Sequence, residues 1–213
     1  LDGEEFYHCV KSLRKKVGDT IYTTDGKGNL FKTKIEKIEK SFCNLEEKEK
    51  VKSLSQKKIN NVSICLIKSQ SRIDWMVEKL TEIGVNEITF ILSQNCERKK
   101  LNYDRLNKKI ISAAKQCNSL FLPKINEIRS LDKFLDDTKN IDNKYFADLE
   151  SKNNLKTYGD NLNSIMLIGP EGDFTREEKE KIKKYGFKST TLGNQILRSE
   201  TAAVIGGYLL KEF

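Results

Sequence analysis

Histidine and proline are scarce in this chain, and the scarcities remove whole classes of chemistry. The single histidine, His8, leaves no material for His-clustered metal centres or for most Ser-His-Asp hydrolases. The cysteines, Cys9, Cys43, Cys65, Cys96 and Cys117, are odd in number, scattered and never in a Cys-x-x-Cys pair. Neither a disulfide framework nor a zinc site is expected. No apolar run is long enough to cross a bilayer and no charged, apolar leader opens the chain, which points to a cytoplasmic protein with no membrane partner. The Gly-x-x-x-x-Gly-Lys-Ser/Thr and Gly-x-Gly-x-x-Gly patterns are both missing, and Gly26-Lys27-Gly28 opens no helix. A mononucleotide kinase and an ordinary dehydrogenase are disfavoured. The remaining chemistry is that of carboxylates, Arg, Lys and backbone amides, without a metal.

Positive charge is abundant. Thirty-nine Lys and Arg against thirty-one Asp and Glu give a formal +8, which favours polyanionic partners through phosphate neutralisation. The chain is also rich in Lys, Asn and Ile together, which reads equally well as a compositional habit. Charge alone weighs the two readings evenly.

The hydrophobic rhythm divides the chain in two. Two alternating runs at residues 19–24 and 30–35 flank Asp25-Gly26 and Gly28-Asn29, as a β-hairpin requires. Residues 46–61, EEKEKVKSLSQKKINN, are polar and charged and read as a linker or solvated loop, with a domain boundary between residues 60 and 61. Beyond it strands and helices alternate. Residues 62–67, 87–92, 164–168 and 188–192 read as strands, and 72–83, 103–117, the stretch after Thr175 and that from about Glu200 as helices. The segments 123–128, 130–137 and 145–149 are less clear. This alternation implies βαβ units in an α/β domain with a mostly parallel sheet.

Two loops stand out. IGPEGDF at residues 168–174 joins a strand to a helix announced by the capping-box order Thr175-x-x-Glu178. LGNQILRSETA at 192–202 does the same around Gly193. In an open parallel sheet such loops face a common crevice outside the carboxyl ends of the strands. The glycines allow close backbone approach and Pro170 stiffens the turn. Strand-to-helix turns use Gly and Pro in any case, so either loop alone is ordinary.

Taken together, LIGPEGDFTREE and LGNQILRSETAA resemble the paired signature of the SPOUT methyltransferases, and more narrowly the bacterial 16S ribosomal RNA (uracil-N3)-methyltransferases. VEKLTEIGV, CERKK, AAKQCNSLFLPKI and FYHCVKSLRKKVGD, at residues 77–85, 96–100, 113–125 and 6–19, agree with that family in order. The chain departs from it at Asp173, where a second Gly is usual, at Gln195, where Arg is usual, and at Lys115 and Ser119, where Glu and Arg are common. It also starts at Leu1, without the family's additional first strand.

The resemblance implies a PUA-like β-barrel for RNA docking over residues 1–60 and an α/β domain with a trefoil knot over 61–213. It further implies S-adenosylmethionine as cofactor, 16S rRNA within the small ribosomal subunit as substrate, and a homodimer. Cofactor contacts are expected from Leu167, Ile168, Gly169, Gly172, Leu192, Gly193, Gln195, Ile196, Leu197 and Ala202. Arg198 and Arg98 would hold phosphate or the uridine oxyanion, and Glu200, then Glu171, then Glu82, would take the imide proton. Arg14, Lys15, Lys16, Arg98 and Lys99 are the expected RNA contacts. Two rival activities carry over: another SPOUT reaction, on a ribose hydroxyl or a tRNA base, and a non-catalytic RNA-binding module of the same fold.

Overall fold

The computed structural model describes residues 1–56, 58–141, 143–155 and 163–212. It divides into two compact units, Leu1–Gln56 and Lys57–Phe213.

In the first unit, helix α1 (Gly3–Tyr7) runs into a π-helical turn at His8–Ser12, followed by strands β1 (Thr20–Thr24), β2 (Asn29–Ile38) and β3 (Cys43–Ser53). The strands form an antiparallel sheet in the order β1-β2-β3. The Asp25 carboxylate closes the expected hairpin by accepting from Lys27 N at 2.8 Å and from Asn29 Nδ2 at 2.6 Å. Strand β3 corrects the reading of residues 46–61 as a linker. Its glutamates stand opposite the lysines of β2, in the pairs Lys34↔Glu46 and Lys32↔Glu49. Opposite charges across a ladder stabilise it by a few tenths of a kcal/mol to about 1 kcal/mol per pair. A strand exposed over most of its length has no apolar alternation to announce it. Phe6, Cys9, Ile35 and Cys43 form this unit's small core.

The second unit runs β4 (Ile59–Cys65), α2 (Gln70–Glu82), β5 (Glu87–Leu92), α3 (Tyr103–Gln116), β6 (Lys124–Ile125), β7 (Arg129–Ser130), α4 (Leu131–Asp137), β8 (Asn143–Ala147), β9 (Asn163–Ile168), α5 (Arg176–Lys184), β10 (Lys188–Thr190) and α6 (Ser199–Glu212). Its strand order is β10-β8-β9-β4-β5-β6, with β7 also on β5. Every pairing among them is parallel. The expected boundary at 60/61 falls inside β4, because Ile59 and Asn60 are already in register with Asn163 and Ser164.

Alternation along β9 explains the two layers. Ile165 and Leu167 join one core with Phe134, Leu135, Ile182 and Phe187 of the α4 and α5 side. Met166 and Ile168 join the other, with Ile73, Met76 and Leu80 of α2, Leu106 of α3 and Ala203 of α6. Gly206 and Gly207 let α6 lie close to the sheet. A Cβ on Gly206 would stand 2.8 Å from Met166 Cγ, and one on Gly207 would stand 3.0–3.2 Å from Val85, Val62 and Leu80. The trefoil knot implied by the resemblance depends in part on the path through residues 156–162, which lie outside the described residues.

Candidate active site

Strands β8, β9 and β10 are neighbours and parallel, so the loops that follow them emerge on one edge of the sheet. After β9 the chain turns tightly. Asp173 N donates to Pro170 O at 3.0 Å, and Asp173 itself takes the left-handed conformation with φ 61°. That conformation accounts for the departure seen in the sequence: the position suits glycine, and aspartate is among the few other residues that tolerate it. Its carboxylate accepts from Phe174 N at 2.7 Å. Lys179, on α5, then ties two of the loops together by reaching Asp173 at 2.8 Å and Asp148, after β8, at 3.1 Å. Thr175 and Glu178 form the expected reciprocal cap of α5, and Glu178 Oε1 also accepts from Gln94 N at 2.9 Å.

The third loop, after β10, turns at Gly193 with φ 132°, where Gly193 N donates to Thr191 Oγ1 at 3.2 Å. The loop enters α6 with Ala202 N donating to Arg198 O at 2.9 Å. Between the three loops lies a cleft of about 370 Å³. Its walls include the expected Ile168, Gly169, Leu192 and Gly193, and likewise Gln195, Ile196, Leu197 and Ala202. A Cβ built on Gly193 meets no atom within 4 Å. The expected Leu167 and Gly172 do not line the cleft. Leu167 is fully buried in the core of the α4 and α5 side, because the strand alternation turns it away from Ile168. Gly172 faces Asn95 instead.

Charge at the cleft is organised by a residue the sequence reading passed over. Arg72, in the first turn of α2, lines the cleft and donates Nε to Glu200 Oε1 at 2.7 Å and a terminal nitrogen to Glu171 Oε1 at 2.8 Å. The hydrogen bond to Glu200, ahead of the nearby charges, raises the Arg72 guanidinium above its ordinary value. Glu200 is buried and is not part of the cleft wall, and its second oxygen is buried without a hydrogen-bond partner. Glu171 and Arg198 do line the cleft. Arg72 and Asp148 both follow strands of the same edge, which is the signal that could have found them.

A family model for an RNA methyltransferase domain matches residues 36–210, and one for an RNA methyltransferase PUA domain matches 1–48. The chain belongs to this RNA methyltransferase family. The "Ribosomal RNA small subunit methyltransferase E" of Mesomycoplasma hyopneumoniae is 36% identical over 178 residues, 80% of this chain and 73% of the relative. Among solved structures, a probable rRNA-methyltransferase from Porphyromonas gingivalis superimposes with TM-score 0.86 at 30% identity, covering 98% of this chain and 90% of its own. A ribosomal RNA small subunit methyltransferase E from Neisseria gonorrhoeae, bound to S-adenosyl methionine, shares the fold with TM-score 0.84 at 22% identity, over 100% and 90% of the two chains.

The remaining residues expected from the RNA methyltransferase resemblance lie elsewhere. Arg98 is committed to structure: its guanidinium donates to Lys68 O, Lys100 O and Gln70 Oε1. Lys99 beside it is exposed. Glu82, at the far end of α2, accepts from Lys79 at 2.8 Å. In the N-terminal unit Arg14 and Lys16 are exposed, and Lys15 is half-buried. Among the described residues no helix is long and apolar enough to cross a membrane.

Proposed function

We propose that this protein transfers a methyl group from S-adenosylmethionine to ring nitrogen 3 of a uridine in the 16S rRNA of the small ribosomal subunit, as a cytoplasmic homodimer. The observation that carries the reading is the cleft itself. Three loops wall it at the carboxyl edge of a parallel sheet, with an arginine held between two carboxylates at its side, in a chain of the RNA methyltransferase family.

The cleft suits the cofactor. Ile168, Leu192, Ile196 and Leu197 offer apolar walls to an adenine ring, while Gly169 and Gly193 bring backbone against it. When bound, S-adenosylmethionine supplies an electrophilic methyl group on a sulfonium centre, chemistry that calls for no metal. The protein's part is alignment and handling of a proton. A uridine imide is protonated at neutral pH and must give up its N3 proton before that nitrogen can attack. Glu171, on the cleft wall, is the carboxylate placed to accept it. Arg198 and Arg72 provide positive charge for the uracil oxygen as the ring becomes anionic. Glu200, the first choice from the sequence, is turned instead towards Arg72 and acts as a positioning residue.

The knot and the dimer belong to the same reading. Thr191 N donates to Asn153 O at 2.8 Å and Asp148 N to Thr190 O at 2.9 Å, so the segment after β10 runs against the segment after β8 before α6 crosses back over β4 and β9. Trp75 on α2, Tyr208 on α6 and Ile196 at the cleft are exposed, with Ile196 at 85%. Large apolar side chains left exposed on α2, α6 and the cleft loop are what a second copy would cover, and this supports the dimer in our reading.

The test is nucleoside mass spectrometry of small subunits from a strain lacking the enzyme, after incubation with the protein and S-adenosylmethionine. 3-Methyluridine in 16S rRNA is expected. A ribose-methylated product, or methylation of tRNA alone, would move the chain to another SPOUT reaction. No cofactor binding by calorimetry would leave an RNA-binding module.

A further inference from the structure

The positive charge of this chain is concentrated in one place. Residues 98–118 carry seven Lys and Arg against the single Asp104, a formal +6 out of +8 for the whole sequence. Residues 1–56, which hold the PUA-like unit, carry twelve basic against ten acidic side chains, a formal +2. The rest of the chain is neutral overall.

The helix α3 arranges this charge on one side. Leu106, Ile110, Ala113 and Ala114 are buried against the core, so the helical period turns Arg105, Lys108, Lys109, Ser112 and Lys115 outward in one stripe. Ten residues of helix span about 15 Å. Arg105 reaches Asp74 at 2.5 Å and Lys109 lies 3.9 Å from Glu78, both acids of α2. Arg98, at the start of the segment, bonds only neutral acceptors among its hydrogen-bond partners. Lys99, Lys100, Lys108 and Lys115 are exposed. The loop that leads into α3 approaches the side of the cleft, because Arg98 donates to Gln70 Oε1, two residues before the cleft residue Arg72 on α2.

We infer that α3 and the loop leading into it form the main electrostatic docking surface for the phosphate backbone of the rRNA, in place of the Arg14, Lys15 and Lys16 cluster. The inference rests on the rRNA-methyltransferase reading for the identity of the polyanion. Phosphate contacts set the register of a nucleic acid on a protein without reading its bases, which suits a surface of lysines beside a cleft that receives one nucleotide.

The full-length protein is titrated with a 16S rRNA transcript over a series of salt concentrations. Each phosphate contact contributes ~0.7–0.9 to the slope of log K against log salt. The variant Lys99→Gln, Lys100→Gln, Lys108→Gln, Lys115→Gln should lower that slope by about 3 and weaken binding at least ~tenfold at low salt. The variant Arg14→Gln, Lys15→Gln, Lys16→Gln should change it by less than about 1. An unchanged slope in the α3 variant, or a larger loss in the N-terminal one, overturns the inference. S-Adenosylmethionine binding, measured separately by calorimetry, should be the same in parent and variants. If the parent binds no cofactor, the enzymatic reading fails, while the slopes still decide the docking surface.

Discussion

Arg72→Ala should destabilise the protein far more than Glu171→Gln, although Arg72 bonds both carboxylates. The two contacts differ in burial: the Glu200 side chain is 7% exposed and the Glu171 side chain 43%. Glu200 Oε2 already lacks a hydrogen-bond partner, so removing the guanidinium leaves a buried carboxylate with none of the hydrogen bonds now seen on either oxygen. Stripping one partner from a buried pair costs about 3–5 kcal/mol. Arg72 is itself 28% exposed, which lets water reach the site, and a loss near the lower end, about 3 kcal/mol, is expected. The Glu171 contact is of the surface kind, worth ~0.2–1 kcal/mol. Urea unfolding followed by the fluorescence of Trp75, the only tryptophan and a residue of the same helix, reads the difference. Glu200→Gln removes the charge at nearly constant shape, so Arg72→Ala should be much less harmful in that background. The double-mutant cycle should give a coupling of about 2 kcal/mol. A coupling below ~0.5 kcal/mol, or a Glu171→Gln loss equal to that of Arg72→Ala, would refute the claim that Glu200 and Arg72 hold each other.

Three further outcomes are expected. Gly193→Val should impose about 1–3 kcal/mol of backbone strain, because φ is 132° there, and abolish tight S-adenosylmethionine binding while the far-ultraviolet dichroism stays that of the parent; unchanged affinity in calorimetry would remove this loop from the cofactor site. Gly206→Ala should lower stability by about 1 kcal/mol, since ~1–3 kcal/mol of overpacking against Met166 outweighs ~1 kcal/mol gained in helix propensity; a stabilised variant would show that α6 has room to move. Cys96 should alkylate with a pH midpoint at about 6, because hydrogen bonds from Cys65 and then Ser93 hold its thiol below the ordinary value despite burial. Its thiolate is therefore present above that pH and lost below it; peptide mapping that puts the midpoint near 9 would rule out this hydrogen-bonding arrangement.

The legible parts of this molecule are those where one local signal had one structural answer. Residues 87–92 formed the expected strand, and Thr175-x-x-Glu178 formed the reciprocal cap it announced. The two glycine loops could be placed on one sheet edge because strand-to-helix order fixes which end of a parallel strand a loop leaves. What escaped was set by partners distant in sequence. Strand β3 is stabilised by charges on β2 and carries no apolar period. The orientation of Glu200 depended on Arg72, 128 residues earlier, and a carboxylate in a first helical turn gives no sign of which side it faces. Leu167 and Ile168 are adjacent in sequence, yet the pleat sends them to opposite layers.

The parallel pairing of β4 with β9 also has a consequence for the order of events during synthesis. Ile64 and its partner Ile168 are roughly a hundred residues apart, whereas Ile64 meets Phe90 of β5 much sooner. At ~5–20 residues per second, a ribosome needs about 5–20 s to make that intervening stretch. During that interval β4 and β5 can pair with α2 packed across them, but the β9 side of β4 has an open hydrogen-bonding edge. All three loops of the cleft, and the helix that closes it, lie in the last third of the chain. The nascent protein can therefore carry α3 and its cations before the cleft exists.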